Sequence, residues 1–152
     1  MEKELKVAAL RNGTVIDHIP AGQVFKVVEI LLLHNYENQI TIGNNLDSKK
    51  MGRKGIIKIS DKYIDEAEAN KIALVAPNAK INIIKNYEVV EKRYVNLPQD
   101  IVEIVHCPNP KCITNNQPVK THFHVLKQVN GQTLLRCHYC EKDVKCENAK
   151  IN

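Results

Sequence analysis

Four cysteines in the last third of the chain have the types and spacing of a metal centre. Cys107-Pro-Asn-Pro-Lys-Cys112 is a C-x4-C pair and Cys137-His-Tyr-Cys140 a C-x2-C pair, with 24 residues between them. Zinc takes four tetrahedral ligands at short range, and thiolates supply both softness and charge. Two knuckles, each bringing two sulfurs, close that tetrahedron once a hairpin draws them together. A redox C-x-x-C needs a thioredoxin-like helix behind it, and none is legible here. Two disulfides need an oxidising compartment, which the charged start Met-Glu-Lys-Glu-Leu-Lys does not suggest. With all four positions filled by protein, the ion is structural and no place remains for catalysis. Cys146 is left over and reads as a spare thiol in a final strand. His106 and His138 lie beside ligands. His122 and His124 alternate on one strand, and with no third partner legible they read as surface histidines.

A second group has the chemistry to hold an anion. Met51-Gly-Arg-Lys54-Gly-Ile-Ile-Lys58 places three cations around a strand start. Lys54 and Lys58, four apart, fall on one side of a strand because the side-chain period is two. Lys92 lies on a later strand of the same sheet, and converging ammonium groups suit a polyphosphate. Asp17-His18 closes an early strand with groups able to hydrogen-bond a base or ribose, and Asn82 and Tyr87 flank a late turn. There is no P-loop and no dinucleotide fingerprint. No Ser/His/Asp grouping or carboxylate dyad stands ready for chemistry.

The elements that must position these residues follow from pattern. Leu5–Leu10 and Thr14–Ile19 read as strands, followed by a helix from Gln23 to about His34 with Val24, Val27, Val28, Leu31 and Leu32 on one face. Gln39–Ile42 reads as a strand closed by Gly43-Asn44-Asn45, and Gly55–Ser60 as another. Asp65 with Glu68 three residues later has the form of a capping box, opening a helix that runs to about Val75 and stops before Pro77. Lys80–Ile84 and Glu88–Tyr94 alternate as two more strands. The result is an α+β domain with a split β-α-β-β-α-β core and two helices on one face of a mainly antiparallel sheet. Asn96-Leu97-Pro98-Gln99 is the linker, dividing the chain into residues 1–96 and 97–152. Beyond it, Ile101–Val105, Thr121–Lys127 and Thr133–Arg136 read as strands, with Asn130-Gly131 as a hairpin turn. This is a small all-β zinc-ribbon-like domain. About fifty residues bury too little apolar surface to fold without such a staple.

Composition agrees. Of 152 residues, 43% are hydrophobic and 26% charged, which excludes a disordered chain, and the scarcity of aromatics (5%) leaves a core of Ile, Val and Leu. No apolar run approaches a membrane span, and an odd number of cysteines, four of them in two close pairs, fits a reducing, cytoplasmic setting better than a disulfide framework. The net charge of +5 is too small to argue for nucleic acid by itself.

The stretches Gly13-Thr-Val-Ile-Asp-His-Ile-Pro20, Ile40-Thr-Ile-Gly-Asn-Asn-Leu46, Met51-Gly-Arg-Lys54, Ile57-Lys-Ile59, Asn86-Tyr-Glu-Val-Val90, Cys107-Pro-Asn109 and Tyr139-Cys-Glu141 occur in that order. Together they closely resemble the regulatory chains of aspartate carbamoyltransferase, over nearly the whole length. The resemblance implies a non-catalytic subunit for control of pyrimidine synthesis. Its first domain would bind nucleoside triphosphates (CTP and ATP, with UTP beside CTP in some members) and pair with a second regulatory chain. Its zinc domain would dock onto catalytic chains. The nucleotide site it implies comprises Ala9, Leu10, Val15, Asp17, His18, Lys58, Asn82, Ile84, Tyr87, Val89 and Lys92. Lys54 would reach a second triphosphate, and Cys107, Cys112, Cys137 and Cys140 would ligate the zinc. The chain departs from well-studied bacterial members at Ala8 and Gly55, where acidic residues are usual, and at Lys111, which replaces an asparagine. One residue is added near Val129-Asn130-Gly131. A zinc-ribbon protein that binds nucleic acid is the alternative, opposed by only seven scattered Lys/Arg in the ribbon. A small metalloenzyme is a third reading, opposed by the saturated cysteine site.

Overall fold

The computed structural model describes residues 9–127 and 133–151. The chain divides into two compact units, residues 1–96 and 97–152. Among the described residues of the first unit the order is β1 (Gly13–Pro20), α1 (Val24–Ile30), β2 (Ile40–Ser48), β3 (Gly52–Ser60), α2 (Glu66–Val75), β4 (Lys80–Lys85) and β5 (Glu88–Tyr94). The sheet runs β2-β3-β1-β4-β5, every pairing antiparallel. This is the split β-α-β-β-α-β arrangement, with β1 inserted centrally and β5 added at the edge. The expected strand Leu5–Leu10 falls mostly outside the described residues, and Ala9 and Leu10 lie in irregular backbone.

Alternation along the strands sets the layers. Ile16, Ile19, Ile57, Ile59 and Ile81 are fully buried, as are Val24 and Val27 of α1 and Ile72 and Ala73 of α2. These residues form the core between the helices and one sheet face. Thr14, also fully buried, donates to Lys62 O at 2.6 Å and accepts from Ile64 N at 3.3 Å, which ties the loop before α2 to the sheet. Helix α2 begins on the expected capping box. Asp65 Oδ1 accepts from Glu68 N at 2.8 Å, and Glu68 Oε1 accepts from Asp65 N at 3.3 Å.

Two elements of this unit differ from the sequence reading. Helix α1 ends at Ile30 rather than near His34, because Leu32 takes a left-handed conformation (φ 55°). Leu31 and Leu33 are both buried. Two positions apart on a helix they would point to nearly opposite sides, so the chain leaves the helix between them. Strand β2 does not close at Gly43-Asn44-Asn45. It continues to Ser48 through a bulge with Asn45 at φ 59°. Gly and Asn serve a bulge as readily as a turn.

In the second unit, β6 (Asp100–Val102), β8 (His122–Lys127), β9 (Thr133–Cys137) and β10 (Asp143–Lys145) form an antiparallel sheet of order β10-β9-β8-β6. Strands β7 (Val105–His106) and β11 (Lys150–Ile151) pair separately. The expected strand Ile101–Val105 is thus two strands, interrupted where Glu103 adopts φ 68°. Cys146 sits in a short 3-10 turn, Cys146–Asn148, and not in a strand. Phe123, Ile101, Val105 and Leu135 make a small core. The expected Asn130-Gly131 turn lies outside the described residues.

Candidate functional site

The sheet face away from the helices carries the anion-binding candidates. Val15 of β1 pairs with Lys58 on one side and Asn82 on the other. Asn82 pairs with Lys92, and Lys58 with Thr41. Directly opposed residues share a face, so Thr41, Lys58, Val15, Asn82 and Lys92 form one row across all five strands. The row beside it, Ile57–Ile16–Ile81, points into the core. Four of the sequence-predicted residues are therefore brought into register by pairing alone. Lys58 and Lys92 stand three strand spacings apart, roughly 14 Å.

Asp17 organises one end of this face. Its Oδ1 accepts from His18 N at 2.7 Å and from Lys54 Nζ at 2.8 Å, with Asp17 and Lys54 both about one-fifth exposed. His18 sits at a break in the β1–β3 register with φ 60°, so its side chain leaves the strand alternation. Burial first, and then the charges of Lys54, Lys80 and Lys50, hold the His18 imidazole below its ordinary pKa, against the pull of Asp17. Burial likewise lowers the Lys58 ammonium, again opposed by Asp17. Partly buried cationic groups whose charged form burial disfavours gain from an incoming anion. Lys80, opposite Asp17 on β4, escaped the sequence reading. Its alternation with Asn82 is the signal that points to it.

At the other end, the β4–β5 turn is made by Asn86 and Tyr87, both left-handed (φ 52° and 66°). Tyr87 N donates to Arg11 O at 2.9 Å and Asn86 N to Asn12 Oδ1 at 3.1 Å. The turn and the segment after Leu10 are thereby neighbours. Tyr87 is exposed, Ile84 is buried, and Val89 pairs with Ile84 and is exposed. Ala9 is exposed and Leu10 half-buried.

In the second unit, the four cysteines converge. Cys107 Sγ and Cys140 Sγ are 3.7 Å apart, Cys112 Sγ and Cys137 Sγ are 3.7 Å apart, and all four sulfurs lie within 4.8 Å of one another. A tetrahedron with metal–sulfur bonds of about 2.3 Å has edges of about 3.75 Å, so the cluster fits one zinc ion. Side chains knit the first knuckle. Asn115 Nδ2 donates to Cys107 O at 2.9 Å and Asn109 O at 2.7 Å, and Asn116 Nδ2 to Cys112 O at 2.8 Å. The second closes with Glu141 at φ 63°, its N–H on Cys137 O at 2.9 Å. Burial pushes the Cys107 thiol up to about 12 and raises Cys137. At Cys140 burial also opposes ionisation, but hydrogen bonds from Asn109 and the Lys142 backbone outweigh it and bring the thiol to about 7. Four thiolates at this spacing require a cation between them, and a divalent ion supplies it.

Residues 5–96 match the family model described as the aspartate carbamoyltransferase regulatory chain, allosteric domain, and residues 99–150 match that chain's metal binding domain. The chain belongs to the aspartate carbamoyltransferase regulatory chain family. Curated relatives of that name extend the likeness over almost the full length. The chain is 54% identical over 150 residues to that of Parabacteroides distasonis, covering 99% of this chain and 96% of the relative. It is 55% identical to that of Bacteroides fragilis (99% and 97%) and 50% identical over 151 residues to that of Pyrococcus horikoshii (98% of each). It is a regulatory chain with an allosteric and a metal-binding domain, not a catalytic one. Among the described residues no helix is long and apolar enough to cross a membrane.

Proposed function

We propose that this regulatory chain binds nucleoside triphosphates, CTP and ATP with UTP beside CTP, on the helix-free face of the first sheet, and carries that binding to catalytic chains through the zinc domain. The observation that carries this reading is the cross-strand row Lys58–Val15–Asn82–Lys92. It offers two ammonium groups, an amide and an apolar contact along a span that suits an extended anion with an aromatic head. In this reading Lys58 and Lys92 meet phosphates, Asp17 and Lys92 the ribose hydroxyls, and the backbone near Leu10, Ile84 and Tyr87 the base. Val15, Val89 and Ala9 wall the pocket, His18 lies beside the phosphates, and Lys54 is free to exchange Asp17 for a second triphosphate. Exposed apolar residues on the edge strands, Ile42 on β2 and Val89, Val90 and Tyr94 on β5, support pairing with a second copy. One structural zinc on Cys107, Cys112, Cys137 and Cys140 holds the docking domain folded in the cytoplasm, and regulatory dimers bridge catalytic trimers. The coupling is reciprocal, so whatever the catalytic ligands do to nucleotide affinity, nucleotides do to theirs.

Calorimetric titration of the zinc-loaded chain with CTP and ATP, compared with Lys58→Ala, tests the site. A charge-assisted contact of about 1.5–3 kcal/mol predicts a loss of roughly tenfold or more, with zinc content unchanged. Unchanged affinity removes the phosphate assignment. Native mass spectrometry with catalytic trimers tests the assembly, and trimers that remain unbridged refute it.

A further inference from the structure

The zinc unit holds a second cluster of metal-ligand atoms, separate from the cysteines and unrelated to nucleotide binding. Asp100 of β6 stands opposite His124 of β8, and Val102 opposite His122. Alternation places His122 and His124 on the same face as Asp100. His122 Nε2 lies 3.0 Å and His124 Nδ1 2.7 Å from Asp100 Oδ1, and the three ligand atoms fall within 4.8 Å of one another. His138, from the second cysteine knuckle, stacks on His122 with ring centroids 4.7 Å apart. Its Nδ1 is 2.9 Å from His124 Nε2. The sequence reading of two surface histidines missed this because the third ligand sits 22 residues upstream, and only strand register brings it in.

We propose that Asp100, His122 and His124 form a second, solvent-open binding site for a divalent transition-metal ion such as Zn2+. Two imidazoles and one carboxylate on a common face are a ligand set for such ions. Bonds of about 2.0–2.1 Å require ligand edges of about 3.3 Å, so the present contacts need open only about 0.3–0.6 Å. Asp100 and His124 are about half and two-fifths exposed, which leaves room for that motion and for water on the remaining positions. The surroundings fix the ligand form. With His124 coordinating through Nδ1, its proton resides on Nε2 and is donated to His138 Nδ1, the outer hydrogen bond that orients a metal-binding imidazole. Unlike the buried cysteine site, this one takes no part in closing the domain, and its ion exchanges with solvent.

The test is calorimetric titration with ZnCl2 of full-length chain already carrying one zinc on the cysteines, with bound metal counted before and after. The expected result is one further ion per chain, weaker than the first. It should be lost or weakened more than about tenfold in Asp100→Asn and in His124→Gln, both of which retain the first zinc. Absence of a second ion at millimolar Zn2+ overturns the proposal. So does a second ion bound equally by both variants, which would place it on other surface histidines.

Discussion

A methyl group on Gly55 tests how β3 and α1 are joined beneath the cation-bearing face. A Cβ at Gly55 would lie 1.8 Å from Val24 Cγ2 and 3.3 Å from Val24 Cβ. Gly55 is buried on β3, and Val24 is fully buried at the start of α1. Carbon atoms prefer about 3.5–4.0 Å, so Gly55→Ala demands a shift of about 2 Å. Valine in a helix has essentially one rotamer, which leaves the helix itself to move. Overpacking of this kind costs about 1–3 kcal/mol. The backbone of Gly55 is not left-handed, so alanine also restricts the unfolded chain and returns about 0.4–1 kcal/mol. The net expectation is a loss of about 1–2 kcal/mol. Val24→Ala alone removes two buried methyl groups at about 0.8 kcal/mol each, plus a cavity. In the double variant the new methyl occupies the vacated space, so the combined loss should fall short of the sum by about 1–2 kcal/mol. Native-state hydrogen exchange at β1 and β3 amides reads this unit separately from the zinc domain. Strict additivity, or a Gly55→Ala variant as stable as the parent, would refute the packing argument.

Three further predictions follow from the geometry. Chelating zinc, or replacing Cys112 with Ser, should unfold residues 97–152 while the first sheet keeps its exchange protection, because metal binding and folding are one equilibrium in so small a unit; protected β8 and β9 amides without zinc would contradict this. His18 is held below its ordinary value near 6.5, so between the two values the unfolded chain binds more protons; its contribution to stability is full above about pH 6.5 and falls as the pH drops through the folded value. Burial is the main cause of that shift, but phosphates beside Lys54 and Lys80 would offset the lysine part of it, so CTP binding at pH 6 should take up protons, seen as a buffer-dependent enthalpy that vanishes at pH 8 and in His18→Asn. Asp65→Ala should cost about 1 kcal/mol by removing the α2 cap, read by exchange at the first turn of that helix.

The chemistry of the cysteine cluster was legible because four like residues at close spacings carry their own geometry. The capping box was legible for the same reason: Asp65 and Glu68 meet within one turn. What escaped depends on register between distant strands. Lys80 enters the charged face only because β4 pairs with β1 in one alignment, and Asp100 reaches His122 and His124 only through β6–β8 pairing. The end of α1 escaped because helical spacing put Leu32 on the buried face beside Leu31, whereas the fold buries Leu31 and Leu33 and leaves Leu32 exposed. The break at Glu103 escaped because no Gly, Asn or Pro marks it; a left-handed glutamate is a local cost accepted for the two pairings on either side.

The alternation along β1 also shapes how such a chain can diverge. Before the register break at His18, odd and even positions answer to different demands: Ile16 with its partners Ile57 and Ile81 maintains the fold, while Val15 with Lys58, Asn82 and Lys92 faces outward. A lineage can therefore revise what the sheet recognises one outward residue at a time and leave its inheritance of core packing intact. The freedom stops at insertion: adding a single residue between Gly13 and Ile16, ahead of the register break at His18, would exchange the two sets, so this stretch is open to substitution and closed to changes of length.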